Sequence, residues 1–257
     1  MKETKLEEIK QEEQKYFGKI LEEPKINPDL EDYSGMKVQM LFPLSDSHYD
    51  EWVYAATHAC LATWEQFPYK DVNKMSQGEK EKQLNIILED RPISVALEMP
   101  KFAFKIIGLT RAMTHQLVRH RQMAFGQQSI RVVDPTGAPV RLPEILKTDY
   151  RFLREKYENC VMDAKELYKE MVENDIPREQ ARNILPIGTT TSIVMTANLR
   201  VLIDYFRGRT SSITQGEHHY LVYLIALAFK KGQPQFFNFV CTKVNGLKEL
   251  VESGDIE

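Results

Sequence analysis

The sequence predicts one compact α+β domain behind a charged N-terminal extension, and three observations carry that reading. Short apolar runs of strand length stand at residues 36–42 (MKVQMLF) and 102–107 (FAFKII). Longer segments place apolar residues at helical spacing, most clearly over residues 152–171. No internal repeat or low-complexity linker divides residues 35–257, and 257 residues suffice to bury a substantial core.

Residues 1–34 are dominated by Glu and Lys. Their apolar stripe (Leu6, Ile9, Tyr16, Ile20) is thin, so they form an extension, a helix laid on the body or on a neighbouring subunit, with no chemistry of its own. The strand at 36–42 opens the main domain. Residues 46–67 follow as a helix on the spacing of Trp52, Ala55, Ala56, Ala59, Cys60 and Trp64, and the charged segment through Glu89 is expected to be helical too. The strand at 102–107 is ended by Gly108. Thr110 then caps a helix with Met113, Leu117 and Val118 on its apolar side. That helix runs out at Arg119-His120-Arg121; residues 122–128 are an irregular loop, and 134–139 (DPTGAP) a turn. After the helix over 152–171, Pro177 starts a short helix through Asn183. The threonines at 189–191 cap a long helix to about Arg207, and residues 213–230 form the last clear one.

The formal charge of −3 excludes a general nucleic-acid binder, which needs a broad basic face. No membrane span is expected: the uncharged run 185–199 contains Pro186 and Gly188, and 220–229 is too short. Cys60, Cys160 and Cys241 share no metal or redox spacing, which with no secretory signal places the chain in the reduced cytoplasm.

Against that acidic background, residues 100–133 hold six Lys or Arg and no Asp or Glu. Within them lies RHRQMAFGQQSIR, residues 119–131. Clustered guanidinium groups are planar, bidentate donors suited to a phosphate or diphosphate, so this stretch reads as an anion site for a nucleotide. Ser129 and Arg131 alternate as on one strand face. Ser129 has no nucleophile elbow, which leaves it a phosphate or base contact or a hydrogen-bonded core serine. Arg200 stands among Leu199, Val201, Leu202 and Ile203, and a charge buried there needs an anionic partner. Arg207 has the position of a helix C-terminal dipole cap. Gln215, Glu217, His218 and His219 make a weak metal signal without the i, i+4 pair of a helical zinc site, and no metal is expected.

Arg119-His120-Arg121, seven residues, then Ser129 resembles the hallmark of the flavin-dependent thymidylate synthases (the ThyX family). ARNILP (181–186), NLR (198–200) and RTSSITQGE (209–217) resemble further blocks of that family in the expected order, so the resemblance covers residues 36–239. It implies a central, mostly antiparallel sheet with flanking helices, in a subunit that forms a homotetramer with sites between subunits. It also implies FAD as hydride carrier, NADPH as reductant, methylenetetrahydrofolate as carbon donor and C5 methylation of dUMP as the reaction. Carried over residue by residue, Arg119, His120, Arg121, Asn198 and Arg200 fall to the flavin. Gln116, Gln127, Ser129, Arg131, Arg182 and Arg209 fall to the nucleotide, with Arg209 and Ser129 as the catalytic candidates.

The sequence departs from the family pattern at several of these places. Met99 stands where the family usually has His, Gln127 where Glu is common, Asp204 where Asn is frequent and Ile213 where His is. These exchanges alter what donates and accepts around flavin and base, which keeps open C5 methylation or hydroxymethylation of dCMP or UMP. A non-catalytic nucleotide- or nucleic-acid-binding protein using the same basic loop is the third reading.

Overall fold

The computed structural model describes residues 30–31, 35–43, 47–66, 68–90, 95–210 and 216–253. Of the expected extension only Leu30–Glu31 is among them, as a two-residue strand β1 paired in parallel with β5, Val140–Arg141.

The main sheet has four antiparallel strands in the order β2-β3-β6-β4: β2 is Lys37–Phe42, β3 Lys101–Thr110, β4 Ala124–Gln127 and β6 Thr190–Asn198. The two long strands are central, and their alternation creates the core face. Phe102, Phe104 and Ile106 of β3 pair with Ala197, Met195 and Ile193 of β6, and all six are buried. The helices over this face are α1 His48–Trp64, α7 Leu199–Arg209, α8 Gly216–Gly232 and α9 Pro234–Cys241. Their aromatic rings close on the sheet, with Phe102 5.0 Å from Phe229 and 5.1 Å from Phe236 between centroids, and Trp52 5.1 Å from Phe236. The two Phe102 pairs are edge-on and the Trp52 pair is tilted, and such ring contacts add to the burial of area that holds the layers together. The other α-helices among the described residues are α2 Gln77–Asn85, α3 Val95–Glu98, α4 Arg111–Leu117, α5 Arg154–Glu173, α6 Arg178–Ala181 and α10 Leu247–Ser253.

The expected α+β class, antiparallel sheet and flanking helices stand in the structure. Four local expectations do not. The threonine run cannot cap a helix, because residues 190–198 are strand β6; its Thr, Ile and Val side chains are β-branched and favour a pleated surface, and the pairing of β6 with both β3 and β4 decides the matter. The helix starts only at Leu199, capped by Asn198, whose side chain accepts from Val201 N at 2.9 Å. Gly108 does not end β3. It sits at φ 78° in a bulge between Ile107 and Leu109, where a Cβ would lie 2.6 Å from Gly35 O, and the strand continues to Thr110. Residues 124–127 of the expected loop form edge strand β4, and Ser129 and Arg131 lie in the turn after it, with the N–H groups of Val132 and Val133 donating to Ser129 O at 3.1 and 3.0 Å.

Arg200 is the fourth correction. On α7 the residues Leu199, Val201, Leu202, Ile203, Tyr205 and Phe206 face the core, while Arg200, Asp204 and Arg207 occupy the opposite, exposed face. The guanidinium is not buried, although it has an anionic partner: Arg200 Nη1 lies 2.8 Å from Glu98 Oε1.

Candidate active site

Helix α4 is the spine of the candidate site, and the junction that launches it is tightly bonded. Thr110 ends β3 and caps α4 by accepting from Met113 N at 3.0 Å. Its own N–H and hydroxyl donate to the buried carboxylate of Glu217 at 2.9 and 2.7 Å. Glu217 is thereby committed to the fold, which removes it from the weak metal signal; Gln215 and Ile213 lie outside the described residues.

Arg111 opens α4. It is half-buried, and its Nη2 donates to Gln128 O at 3.0 Å while its Nε has no partner. Burial first, and then the charge of Arg182, hold its pKa below the ordinary arginine value. Two guanidinium groups near enough to repel can together hold one anion. Arg182 Nε donates to Glu179 O at 3.3 Å, and the Glu179 carboxylate pairs with Arg131 Nη2 at 2.9 Å. Ser129, Arg131, Val132, Pro177, Arg178 and Glu179 line an open groove of about 360 Å³. Arg178 braces its floor by donating to Val132 O at 2.8 Å. Ser129, Arg131 and Arg182 are thus brought together, linked through Glu179.

Midway along α4, Thr114 Oγ1 accepts from Gln127 Nε2 at 3.2 Å. Gln116 is exposed. Beyond the helix end, the Arg119-His120-Arg121 run splits. Arg119 and Arg121 are exposed and their side chains have no partner among the described residues. His120 turns inward: its Nδ1 lies 2.9 Å from Leu117 O, and Arg209 Nε donates to its Nε2 at 3.4 Å. A carbonyl accepts only, so Nδ1 carries the proton and Nε2 is the acceptor. Burial, followed by the charge of Arg209, lowers the His120 pKa below the usual imidazole value, so the ring is neutral at pH 7.

The remaining assigned residues lie apart, at the start of α7. Asn198 spends its side-chain oxygen on the helix cap, Arg200 is paired with Glu98, and Asp204 faces Arg207 at 3.6 Å. Met99, beside Glu98, is 38% exposed. Arg207 does more than cap its own helix, because its Nε donates to Lys243 O at 3.0 Å.

The sequence reading missed Arg111 and Glu179. The signal for Arg111 was present: it is the first residue after the Thr110 cap, in the acid-free stretch. For Glu179 there was none, since its ion pair with Arg131 joins segments 48 positions apart (179 − 131).

Comparison with known proteins gives the class. The family model described as thymidylate synthase complementing protein matches residues 44–235, and the chain belongs to that family. Among curated relatives, the flavin-dependent thymidylate synthase of Pyrococcus furiosus is 36% identical over 163 residues, covering 62% of this chain and 66% of the relative. That of Sulfurisphaera tokodaii is 33% identical over 147 residues, 56% of each chain. The match therefore spans less than two thirds of these relatives' own length. Among solved structures, a UMP/dUMP methylase, PolB from Streptomyces cacaoi, bound with 5-Br dUMP, superposes with a TM-score of 0.66 at 18% identity, over 84% of this chain and 97% of that one. At that identity the likeness speaks for the fold. Among the described residues no helix is long and apolar enough to cross a membrane.

Proposed function

We propose that the chain is a flavin-dependent thymidylate synthase, which methylates dUMP at C5 with methylenetetrahydrofolate as carbon donor, FAD as hydride carrier and NADPH as reductant. The observation that carries this reading is the layout of α4. Its first residue, Arg111, carries a charge that acts on Arg182 and donates to Gln128 O, next to Ser129 of the groove; past its other end stands the His120–Arg209 contact. Seven helical residues span roughly 10 Å, a separation that suits the phosphate and the base of one nucleotide.

In this reading Arg111, Arg182 and Arg131 bind the phosphate, with Ser129 contributing its hydroxyl. Gln116 and Gln127 face the sugar and base. Arg209 contacts the pyrimidine and stabilises negative charge that develops on the ring as C5 becomes nucleophilic. Ser129 is an orienting donor, because among the described residues no carboxylate or imidazole accepts a hydrogen bond from its hydroxyl as a base would.

The residues present fit a flavin dinucleotide. Arg119 and Arg121 offer two exposed guanidinium groups without a counter-ion among the described residues, as a diphosphate requires. Asn198 and Arg200 contribute from another face, which is why we assign a homotetramer whose sites are completed between subunits. When bound, FAD supplies the hydride chemistry, while the protein binds, orients and polarises. Arg200 reaches an anion only by leaving Glu98.

A second reading, C5 chemistry on UMP or dCMP, draws on Gln127. Its amide is already committed to Thr114 and can offer its oxygen to an N–H of the base, where a carboxylate would hold differently. Turnover of dUMP, dCMP and UMP under identical conditions decides between them. Product from dUMP alone supports the synthase; product from UMP or dCMP with none from dUMP overturns it in favour of the second reading.

A further inference from the structure

Behind the Arg209–His120 contact lies a polar pair that the functional reading does not use. Tyr205 of α7 and His218 of α8 are each only 2% exposed, and Tyr205 Oη lies 3.2 Å from His218 Nε2. Both rings stand edge-on to the His120 imidazole: Tyr205 at 5.0 Å and 80°, His218 at 6.0 Å and 86°. A hydroxyl and an imidazole buried this deeply must satisfy each other, and their hydrogen bond pins the two rings as one corner.

The partner chemistry of His120 gives this corner a purpose. No carboxylate pairs with Arg209, His120, Tyr205 or His218 among the described residues. Arg209 is therefore held by a neutral acceptor. A carboxylate in that place would hold it more strongly but would cancel the charge it brings to a ligand. A neutral acceptor works only while the plane of its ring points the Nε2 lone pair at Arg209. Leu117 O fixes one edge of the imidazole, and the Tyr205 and His218 rings fix its plane.

We propose that the Tyr205–His218 pair is a positioning element: it sets the plane of His120 so that His120 aims the Arg209 guanidinium without neutralising it. This rests on the reading of Arg209 as the contact to the pyrimidine. Burial of the pair also keeps it uncharged, since desolvation raises the Tyr205 pKa and lowers that of His218 to about 3.

The test is a double-mutant cycle in the full-length, FAD-loaded protein, reading dUMP affinity by calorimetry. Tyr205→Phe, His218→Gln and His218→Leu are each made alone and together with Arg209→Ala. The expected result is a loss of about five- to ten-fold for Tyr205→Phe and His218→Leu, and no further loss once Arg209 is gone. His218→Gln, whose amide can still meet the Tyr205 hydroxyl, stays near wild type. Equal losses with and without Arg209, or no loss at all, overturn the positioning role alone. An unchanged dUMP affinity in Arg209→Ala overturns the assignment of Arg209 and the positioning role with it. A second measurement needs no variant: the ¹⁵N spectrum of the histidine rings at pH 7 must show His120 as the neutral Nδ1–H tautomer. A charged ring or the Nε2–H tautomer overturns the proposal.

Discussion

Arg131 and Glu179 face each other at 2.9 Å on the rim of the groove, so a guanidinium assigned to the nucleotide phosphate is already paired before any ligand arrives. Both side chains are more than half exposed, and such a pair is worth only about 0.2–1 kcal/mol. A doubly charged phosphate, bound by several donors, outcompetes it. Glu179→Gln should therefore tighten dUMP binding by about two- to five-fold, most clearly at low ionic strength. Calorimetric titration at low and high salt checks this. Weaker binding in the variant would mean that Glu179 orients Arg131 instead of competing for it.

Arg111 and Arg182 repel across the proposed phosphate seat. Arg182→Gln should leave the melting temperature of the ligand-free protein unchanged or slightly higher, because it removes an unfavourable like-charge contact. The same substitution should abolish most of the rise in melting temperature that dUMP produces, since stabilisation by a ligand follows its affinity. Thermal melts with and without dUMP separate the two effects. A large loss of stability without ligand would show that Arg182 is structural.

His218 links stability to pH. In the unfolded chain its pKa returns to about 6.5, whereas in the fold it is about 3, because of burial first and then the neighbouring charges of Arg209 and His120. Between those values the unfolded chain binds a proton that the folded one refuses, so stability is fully present above about pH 6.5 and falls as pH drops. The slope for one such group approaches about 1.4 kcal/mol per pH unit. Urea midpoints from pH 7 to pH 4.5 should therefore fall less steeply in His218→Gln than in the parent protein. Parallel curves would exclude the linkage.

Glu217 carries the strand-to-helix junction. Glu217→Ala leaves the Thr110 N–H and hydroxyl buried without their acceptor, at a cost of about 2–4 kcal/mol. Because the same junction aims Arg111 and starts α4, the loss in urea stability should come with weaker dUMP binding. A variant as stable as the parent would remove Glu217 from that role.

Much of this fold was legible in the sequence where periodicity alone decides. The short apolar run of β2, the helical spacing of α1 and α5, and the Thr110 cap all read through directly. The failures lie where partners remote in sequence decide. Residues 190–198 form a strand because β3 and β4 flank them, and Thr-rich local chemistry cannot distinguish a cap from a pleat. Gly126 in β4 shows the same dependence, since an edge strand of four residues exists only by pairing with β6. Arg200 failed for another reason: apolar neighbours in sequence are not neighbours on a helix, where successive residues point about 100° apart. Within the site, the excess of positive charge at residues 100–133 was plain. The Tyr205, His218 and His120 corner was not, because two helices and the loop after α4 assemble it from positions 85 and 98 residues beyond the first histidine (205 − 120 and 218 − 120).

The most direct test of the account is the visible spectrum of the protein loaded with FAD, recorded during titration with dUMP. Bound flavin should show absorption bands that shift saturably with dUMP, because Arg209 and the α4 residues would place the nucleotide in the site that holds the flavin. Protein that retains no flavin, or flavin whose bands ignore dUMP, would contradict it.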